Sequence, residues 1–393
     1  VTGRTLPWGD LTGIRPTKIP MKLLEEGWKN TEIARYMRET YGVSNEKTAL
    51  AITIANREKA LLQDLDYENG YSLYVGIPFC PSICLYCSFG SHPLERWTKR
   101  VDEYLDTLCK ELTFIREQMG ARKLTTVYIG GGTPTTLEPE QLRRLLSHIQ
   151  ETFDFTWVKE YTVEAGRPDS ITREKLQVMK EFPVTRISVN PQTMNQKTLD
   201  VIGRKHTVED TVNIFHMARE LEFDNINMDL IIGLPGEGKE EVAHTLQEVE
   251  KLHPDSLTIH SLALKRATRL NLFKDKYEEM SFENSKEIME MTQQCAGNMG
   301  MGPYYLYRQK NIAGNFENVG YAEVDKAGIY NILIMEEKQT ILAAGAGAST
   351  KFVFEHGTRI ERVENVKDVN NYILRIDEML ERKRVGIQKY LNG

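Results

Sequence analysis

From Tyr71 onward, short β-branched and aromatic runs alternate with amphipathic helical stretches, and six such units follow one another. Strands are expected at Tyr71–Pro78, Leu124–Ile129, Glu160–Glu164, Thr185–Val189, Asn225–Ile231 and Ser256–Ser261. Between them the spacing predicts helices over about Arg96–Met119, Pro139–Glu151, Arg173–Lys180, Asn195–Ile202, Val208–Leu221 and Lys239–Lys251. That order admits few architectures. Strand–helix–strand units in series build a parallel sheet, because parallel neighbours need a long crossover. Six units rather than eight predict an α/β fold: an open, partial (β/α)6 barrel with its chemistry at the carboxyl ends of the strands.

The flanks read differently. Residues 1–70 are helical in pattern, from Ile19 to about Gln63, and form an expected N-terminal extension to a barrel over 71–265. Residues 266–393 read as a smaller α+β domain covering the barrel mouth. It is expected to hold a helix near Phe282–Gly300, strands at Tyr330–Met335, Ile341–Ala344 and Thr350–Phe354, and a terminal helix at Asp368–Arg384. The chain starts at Val1 rather than Met, so an upstream segment is expected to be missing. With 50 basic against 56 acidic residues and a net charge of -6, the composition gives no sign of nucleic-acid binding. No apolar run approaches the roughly 18 residues of a membrane span.

The chemistry is announced by Ile77-Pro-Phe-Cys80-Pro-Ser-Ile-Cys84-Leu-Tyr-Cys87, directly after the first strand. Three thiolates on one short loop suit three irons of a [4Fe–4S] cluster and leave the fourth iron open to a ligand. The competing readings are structural zinc, a disulfide, or three unrelated core cysteines. Zinc needs a fourth ligand at finger-like spacing, and Cys109 and Cys295 are isolated while His92 is a weak candidate. Five cysteines in 393 residues, with no secretory segment, argue against disulfides. Reduced thiols and an oxygen-sensitive cluster point to a cytoplasm, under anaerobic conditions.

Further polar or Gly-rich features fall where each strand ends. Gly130-Gly131-Gly132-Thr133-Pro134 follows the second strand and suits close backbone approach to a ligand; an ordinary glycine turn is the alternative. Glu164 ends the third strand, Gln192 follows the fourth, and Arg204 lies beyond the next short helix. Asp229 sits inside an apolar strand, where a carboxylate is costly unless paired or liganded.

In this order, Tyr74-x-x-Ile-Pro-Phe-Cys80, the cysteine triplet, Gly130–Pro134, Glu164, Gln192, Arg204 and Asp229-Leu-Ile-x-Gly-Leu-Pro235 resemble the oxygen-independent coproporphyrinogen III oxidase family of the radical S-adenosylmethionine (SAM) superfamily. Leu11–Thr17 and Ala313–Tyr321 resemble its HemZ branch, and the motifs together span roughly residues 11–350. The resemblance implies a [4Fe–4S] cluster on Cys80, Cys84 and Cys87, with SAM chelating the open iron. It places Tyr74 near the cluster and Gly131, Gly132 and Thr133 against the methionine of SAM. Arg204 would pair with the SAM carboxylate and with Glu164, Gln192 and Asp229 would hold the ribose, and Gly233 would join the adenosine-side loop. Tyr74, Glu164 and Arg204 are thereby the catalytic candidates, and Gly345–Ser349 resembles the family's C-terminal glycine turn.

The implied reaction is oxidative decarboxylation of two coproporphyrinogen III propionates to vinyls through a 5′-deoxyadenosyl radical, giving protoporphyrinogen IX. A tetrapyrrole substrate and a reduced flavodoxin or ferredoxin-type donor are the implied partners. Cations suited to a polycarboxylate are Arg96, Lys99, Arg100, Lys265, Arg266, Arg269 and Arg308, with Trp97, Tyr304, Tyr305 and Tyr307 as flat walls. Each has a solvated or structural reading beside it, as do His206, His216 and His260. Three departures stand out: Gly76 where the best-studied branch has histidine, Phe89 where it has a further cysteine, and Leu262-Ala-Leu-Lys265-Arg266 where it has Tyr-Ala-His. The last puts a second SAM site in doubt. Together they leave room for haem delivery, for porphyrin or haem methylation, or for haem degradation.

Overall fold

A computed structural model describes residues 6–13, 15–88, 90–263, 268–272, 282–309, 312 and 316–392. Phe89, Lys265, Arg266 and residues 313–315 lie outside the described residues. In chain order the strands are β1 (Tyr71–Ile77), β2 (Phe79–Cys80), β3 (His92–Pro93), β4 (Leu124–Gly131), β5 (Glu160–Gly166), β6 (Arg186–Val189) and β7 (Ile226–Ile232). They continue as β8 (Ser256–Ser261), β9 (Gly302–Tyr307), β10 (Asn318–Ala322), β11 (Thr340–Ala344), β12 (Ser349–Phe354) and β13 (Arg359–Glu364). All but the short β2–β3 pair join one sheet in the order β13-β12-β11-β1-β4-β5-β6-β7-β8-β10-β9. β1 and β4 through β8 run parallel, each to the next, and helices supply the crossovers. The result is the expected α/β partial barrel.

The strands after residue 300 extend this sheet at both ends. β11 adds in parallel to the free side of β1, pairing Tyr71 with Thr340 and Val75 with Ala344. β10 and β9 add antiparallel beyond β8. Helix Asn45–Leu62 lies against β9, where Arg57 donates to Gly302 O (2.5 Å), Ala322 O (3.0 Å) and Glu323 O (2.8 Å). The terminal helix Ile376–Asn392 is fixed by a fully buried pair, Lys383 Nζ to Glu111 Oε1 at 2.8 Å. Glu111 Oε2 also accepts from Gly345 N at 2.9 Å. A side chain at Gly345 (φ +110) would put its Cβ 2.5 Å from Gly76 O, so glycine lets the β11–β12 turn rest on the end of β1.

Several expectations are corrected. Tyr330–Met335 is not a strand but part of helix Ile329–Glu336, whose first amides donate to the Glu160 carboxylate. The terminal segment is two helices, Val369–Leu374 and Ile376–Asn392, the first capped by the Asp368 side chain. The helix expected from Arg96 begins at Val101, after single turns at Leu94–Arg96 and Thr98–Arg100. β9, β10, β13 and the short β2–β3 pair are strands beyond those expected.

Candidate active site

Beyond β1 the chain passes through Pro78 into β2, delivering Cys80 at the rim of the barrel. Cys80 and Cys84 are buried, Cys87 is half-buried, and none is in a disulfide. The glycine turn after β4 braces one side of this loop. Gly132 N donates to Ile77 O (2.7 Å), Thr133 N to Phe79 O (2.7 Å) and Thr133 Oγ1 to Cys80 Sγ (3.5 Å). On the other side Leu85 N donates to Ile202 O (2.9 Å) and Ser82 Oγ to Gly203 O (3.1 Å). Glycine at 132 is a steric requirement, since a Cβ there would stand 2.4 Å from Phe79 O and 3.0 Å from Cys80 Sγ. Gly132→Ala is expected to displace Cys80 and to lower the iron bound on anaerobic reconstitution severalfold, with far-UV circular dichroism unchanged; overpacking of this kind costs roughly 1–3 kcal/mol. Wild-type iron content in that variant would show that the loop gives way freely.

The donor set suits a cluster. Among the described residues no three His, Cys, Asp or Glu side chains converge as ligands of a single ion. A cubane takes each thiolate on a different iron, so its ligands need not meet at one point.

Inside the barrel, alternate residues of the parallel strands are polar, including Ser72 and Tyr74 on β1, Thr126 and Tyr128 on β4, Glu164 on β5, Arg186 on β6, Asp229 on β7 and His260 on β8. Cross-strand bonds join this face: Thr126 Oγ1 to Ser72 Oγ (2.7 Å), Arg186 Nη2 to Ser256 Oγ (3.2 Å) and Ser256 Oγ to Asn227 Oδ1 (3.1 Å). The intervening Leu73, Val127, Val163, Ile187, Met228 and Leu257 are buried in the apolar core.

Toward the carboxyl ends, Tyr74 stacks on Tyr128 (6.2 Å between centroids) and Tyr128 on Tyr330 (4.4 Å). The Tyr128 hydroxyl donates to Glu164. Burial pushes the Glu164 carboxyl up to about 7, partly offset by that hydrogen bond and reinforced by the charge of Asp229. Asp229 shifts the other way. Burial raises its pKa, but the facing His260 imidazole, a hydrogen bond from Asn227 (2.7 Å) and the nearby Arg186 hold it below the usual carboxylate range. His260 faces Asp229 across 3.8 Å and shares a 3.1 Å hydrogen bond with Tyr307. Two carboxyls in one interior therefore titrate well apart.

Gln192 is held in the left-handed region (φ +68) by Gln192 N to Asp229 O (3.0 Å) and Ile231 N to Gln192 O (2.9 Å). Such backbone strain in a non-glycine residue persists where the surroundings enforce it. Buried Arg204 donates to Asn190 O (2.6 Å) and to the Tyr86 hydroxyl (3.3 Å). Arg204 Nε, Asn190 Oδ1 and Ser188 Oγ, around the end of β6, are buried without protein partners. Unsatisfied polar atoms in such a cluster suit a polar ligand. Gly131 (φ +111) closes β4 and Gly233 (φ +87) follows β7.

The structure thus gathers Tyr74, Glu164 and Asp229 on one inner face, and the cysteines beside Gly132 and Thr133. It does not join Arg204 to Glu164: Arg204 bonds backbone carbonyls and Tyr86, while Glu164 bonds Tyr128. Of the expected flat walls, Tyr304 and Tyr305 are buried in an apolar cluster with Leu62 and Leu65 on which Tyr307 also packs; Tyr305 and Tyr307 stack (6.3 Å between centroids), and the Tyr307 hydroxyl shares a hydrogen bond with His260. Trp97 packs on Phe79 and His92. Among the expected cations, Arg308 donates to Leu11 O (2.7 Å), Arg269 to Ile83 O (3.3 Å), and Arg100 pairs with Glu103 (2.7 Å). Arg96, Lys99 and His216 are exposed. Sequence reasoning missed Tyr128, Tyr330, Arg167 and Arg186. The period-two recurrence of polar residues through apolar strands was the signal for Tyr128 and Arg186.

The Radical SAM superfamily model matches residues 74–249. The chain is 44% identical over 386 residues, 97% of its length and 77% of the relative's, to the oxygen-independent coproporphyrinogen-III oxidase-like protein HemZ of Bacillus subtilis. The chain belongs to this oxidase-like family of the radical SAM superfamily. It is also 37% identical over 198 residues to the heme chaperone HemW of B. subtilis, covering 50% of this chain and 52% of that one. A solved structure of Escherichia coli coproporphyrinogen III oxidase (HemN), a radical SAM enzyme, superposes with a TM-score of 0.64 at 25% identity, covering 82% of this chain and 73% of that one. Radical SAM proteins use a [4Fe–4S] cluster and SAM, the cofactors expected from the sequence. Among the described residues, no helix is long and apolar enough to cross a membrane.

Proposed function

We propose that this chain catalyses the oxygen-independent oxidative decarboxylation of coproporphyrinogen III, converting two propionates to vinyls. The observation that carries the radical chemistry is the direct apposition of the cysteine loop and the Gly132-Thr133 turn, locked by the Thr133–Cys80 contact. The substrate is inferred from the relatives named as coproporphyrinogen III oxidases, in E. coli among others.

In this reading Cys80, Cys84 and Cys87 hold the cluster, whose reduction, with SAM bound, supplies a 5′-deoxyadenosyl radical. Gly131, Gly132 and Thr133 offer backbone groups to the methionine portion, and Glu164 offers a carboxylate to its ammonium. Arg204 would pair with its carboxylate, Gln192 and Asp229 would hold its ribose hydroxyls, and Gly233 would let the adenosine-side loop turn. The Tyr74–Tyr128–Tyr330 stack excludes water from the reacting centre. The division at residues 70 and 265, a cytoplasmic setting and a flavodoxin- or ferredoxin-type donor belong to the same proposal.

The similarity to haem chaperones favours a second reading, haem binding and delivery. The deciding experiment is anaerobic turnover of reconstituted protein with SAM, reductant and coproporphyrinogen III, followed by mass spectrometry. Sequential loss of two carboxyl groups with matching 5′-deoxyadenosine is expected. An untouched tetrapyrrole, together with stoichiometric haem uptake, would replace oxidation with delivery.

A further inference from the structure

Arg167 opens the loop after β5 and is buried. Two of its nitrogens are committed to Asp169, Nε to Oδ1 at 2.9 Å and Nη2 to Oδ2 at 2.6 Å. This bidentate geometry leaves the guanidinium little freedom. Nη1, the third nitrogen, points into the cysteine loop. It donates to Ser82 O (3.0 Å) and Ser82 Oγ (2.9 Å) and lies 3.6 Å from Cys84 Sγ.

We propose that Arg167 is a redox-positioning residue, giving an N–H and a positive charge to the Cys84 sulfur so that the Arg167–Asp169 pair sets the reduction potential of the cluster held there. The inference rests on the cluster assignment proposed above. Taking up one electron adds one negative charge to the cluster and its thiolates. A hydrogen bond and a cation at a ligand sulfur stabilise that more negative form, and burial strengthens the effect. Asp169 opposes it by holding a carboxylate on the far side of the guanidinium. Its neighbour His206 adds no countercharge near neutrality, since burial, with Arg204 close by, holds the imidazole down to about 4. Removing Arg167 and removing the charge of Asp169 must therefore move the potential in opposite directions, which a merely structural role would not do.

The test is an anaerobic redox titration, followed by electron paramagnetic resonance, of the reconstituted protein without SAM or tetrapyrrole. Arg167→Met is expected to lower the midpoint by at least a tenfold change in the reduced-to-oxidised ratio, about 59 mV for one electron. Asp169→Asn is expected to raise it. Arg167→Lys, which keeps the charge and loses the fork, is expected to fall between wild type and Arg167→Met. Shifts of the same sign in Arg167→Met and Asp169→Asn, or unchanged potentials, would overturn the proposal. If Arg167→Met assembles no cluster, Asp169→Asn and Arg167→Lys still decide it. Absence of a cluster from the wild-type protein would instead overturn the reading beneath it.

Discussion

Cys84→Ala is expected to keep the fold and to lose both the cluster and SAM cleavage. Cys84 lies on a loop pinned from two sides by backbone hydrogen bonds, through Gly132 and Thr133 to β1 and β2 and through Leu85 to Ile202. Trimming one sulfur therefore leaves the loop in place. No other thiol is placed to substitute. Cys109 lies on helix Val101–Met119 and Cys295 on helix Lys286–Asn298, where Cys295 Sγ donates to Leu246 O at 3.6 Å. Burial pushes these thiols up to about 11 and about 12, so neither supplies a thiolate near neutrality. Loss of a group that merely orients a metal ligand costs roughly 10–100-fold in affinity, and loss of the ligand itself exceeds that. Iron content and 5′-deoxyadenosine formation should fall to background in Cys84→Ala, while Cys295→Ala retains both. SAM cleavage at the wild-type rate in Cys84→Ala would remove the cluster from the reaction.

Local pattern carried the barrel, because each parallel strand is a short apolar run closed by a turn and followed by an amphipathic helix. It carried the cysteine loop as well, since the three cysteines lie within eight residues of one another. What it did not carry depends on contacts distant along the chain. Tyr330–Met335 has the aromatic and β-branched composition of a strand. It becomes a helix where Glu160, some 170 residues earlier, caps the amides of Ile329 and Tyr330. The same helix brings Tyr330 onto Tyr128, which no spacing rule would reveal. β11 was legible as a strand, but its parallel seat beside β1 was not, because that pairing closes a loop of more than 250 residues. Arg167 reads locally as a turn residue before proline; its meaning comes from Ser82 and Cys84 on another loop. The implied Arg204–Glu164 pair failed for the converse reason. Tyr128, two residues before Gly130 and polar at an inward position, reaches Glu164 in this chain.

On the proposed pairing of Glu164 with the SAM ammonium, the burial of Glu164 is expected to make SAM affinity pH-dependent. Burial holds the free protein's Glu164 carboxyl at about 7, with the Tyr128 hydrogen bond pulling it down, Asp229 pushing it up and Arg186 and His260 pulling it down. The unfolded chain releases the same proton near 4.3. Between those values the folded state binds more protons, so Glu164 costs stability increasingly as pH rises, and the full cost stands above about pH 7. A bound ammonium offsets that cost, because it stabilises the carboxylate form. SAM binding should therefore be strongest above about pH 7 and weaken on acidification, since the ammonium must displace the proton. With a midpoint at about 7, the ionised fraction falls about tenfold between pH 8 and pH 6, and the Kd for SAM should rise by the same factor. Glu164→Gln keeps the shape but removes the charge. A hydrogen bond involving a charged group contributes roughly 1.5–3 kcal/mol, so the Gln variant should bind SAM some 10- to 100-fold more weakly at pH 8. Its Kd should also be nearly flat between pH 6 and 8. His260→Gln serves as the control: it removes an imidazole whose charge lowers the Glu164 pKa, so the midpoint should move up while the slope survives. Isothermal titration with SAM and anaerobically reconstituted protein measures all three. A wild-type slope in Glu164→Gln would assign the proton to another group and take the ammonium away from Glu164.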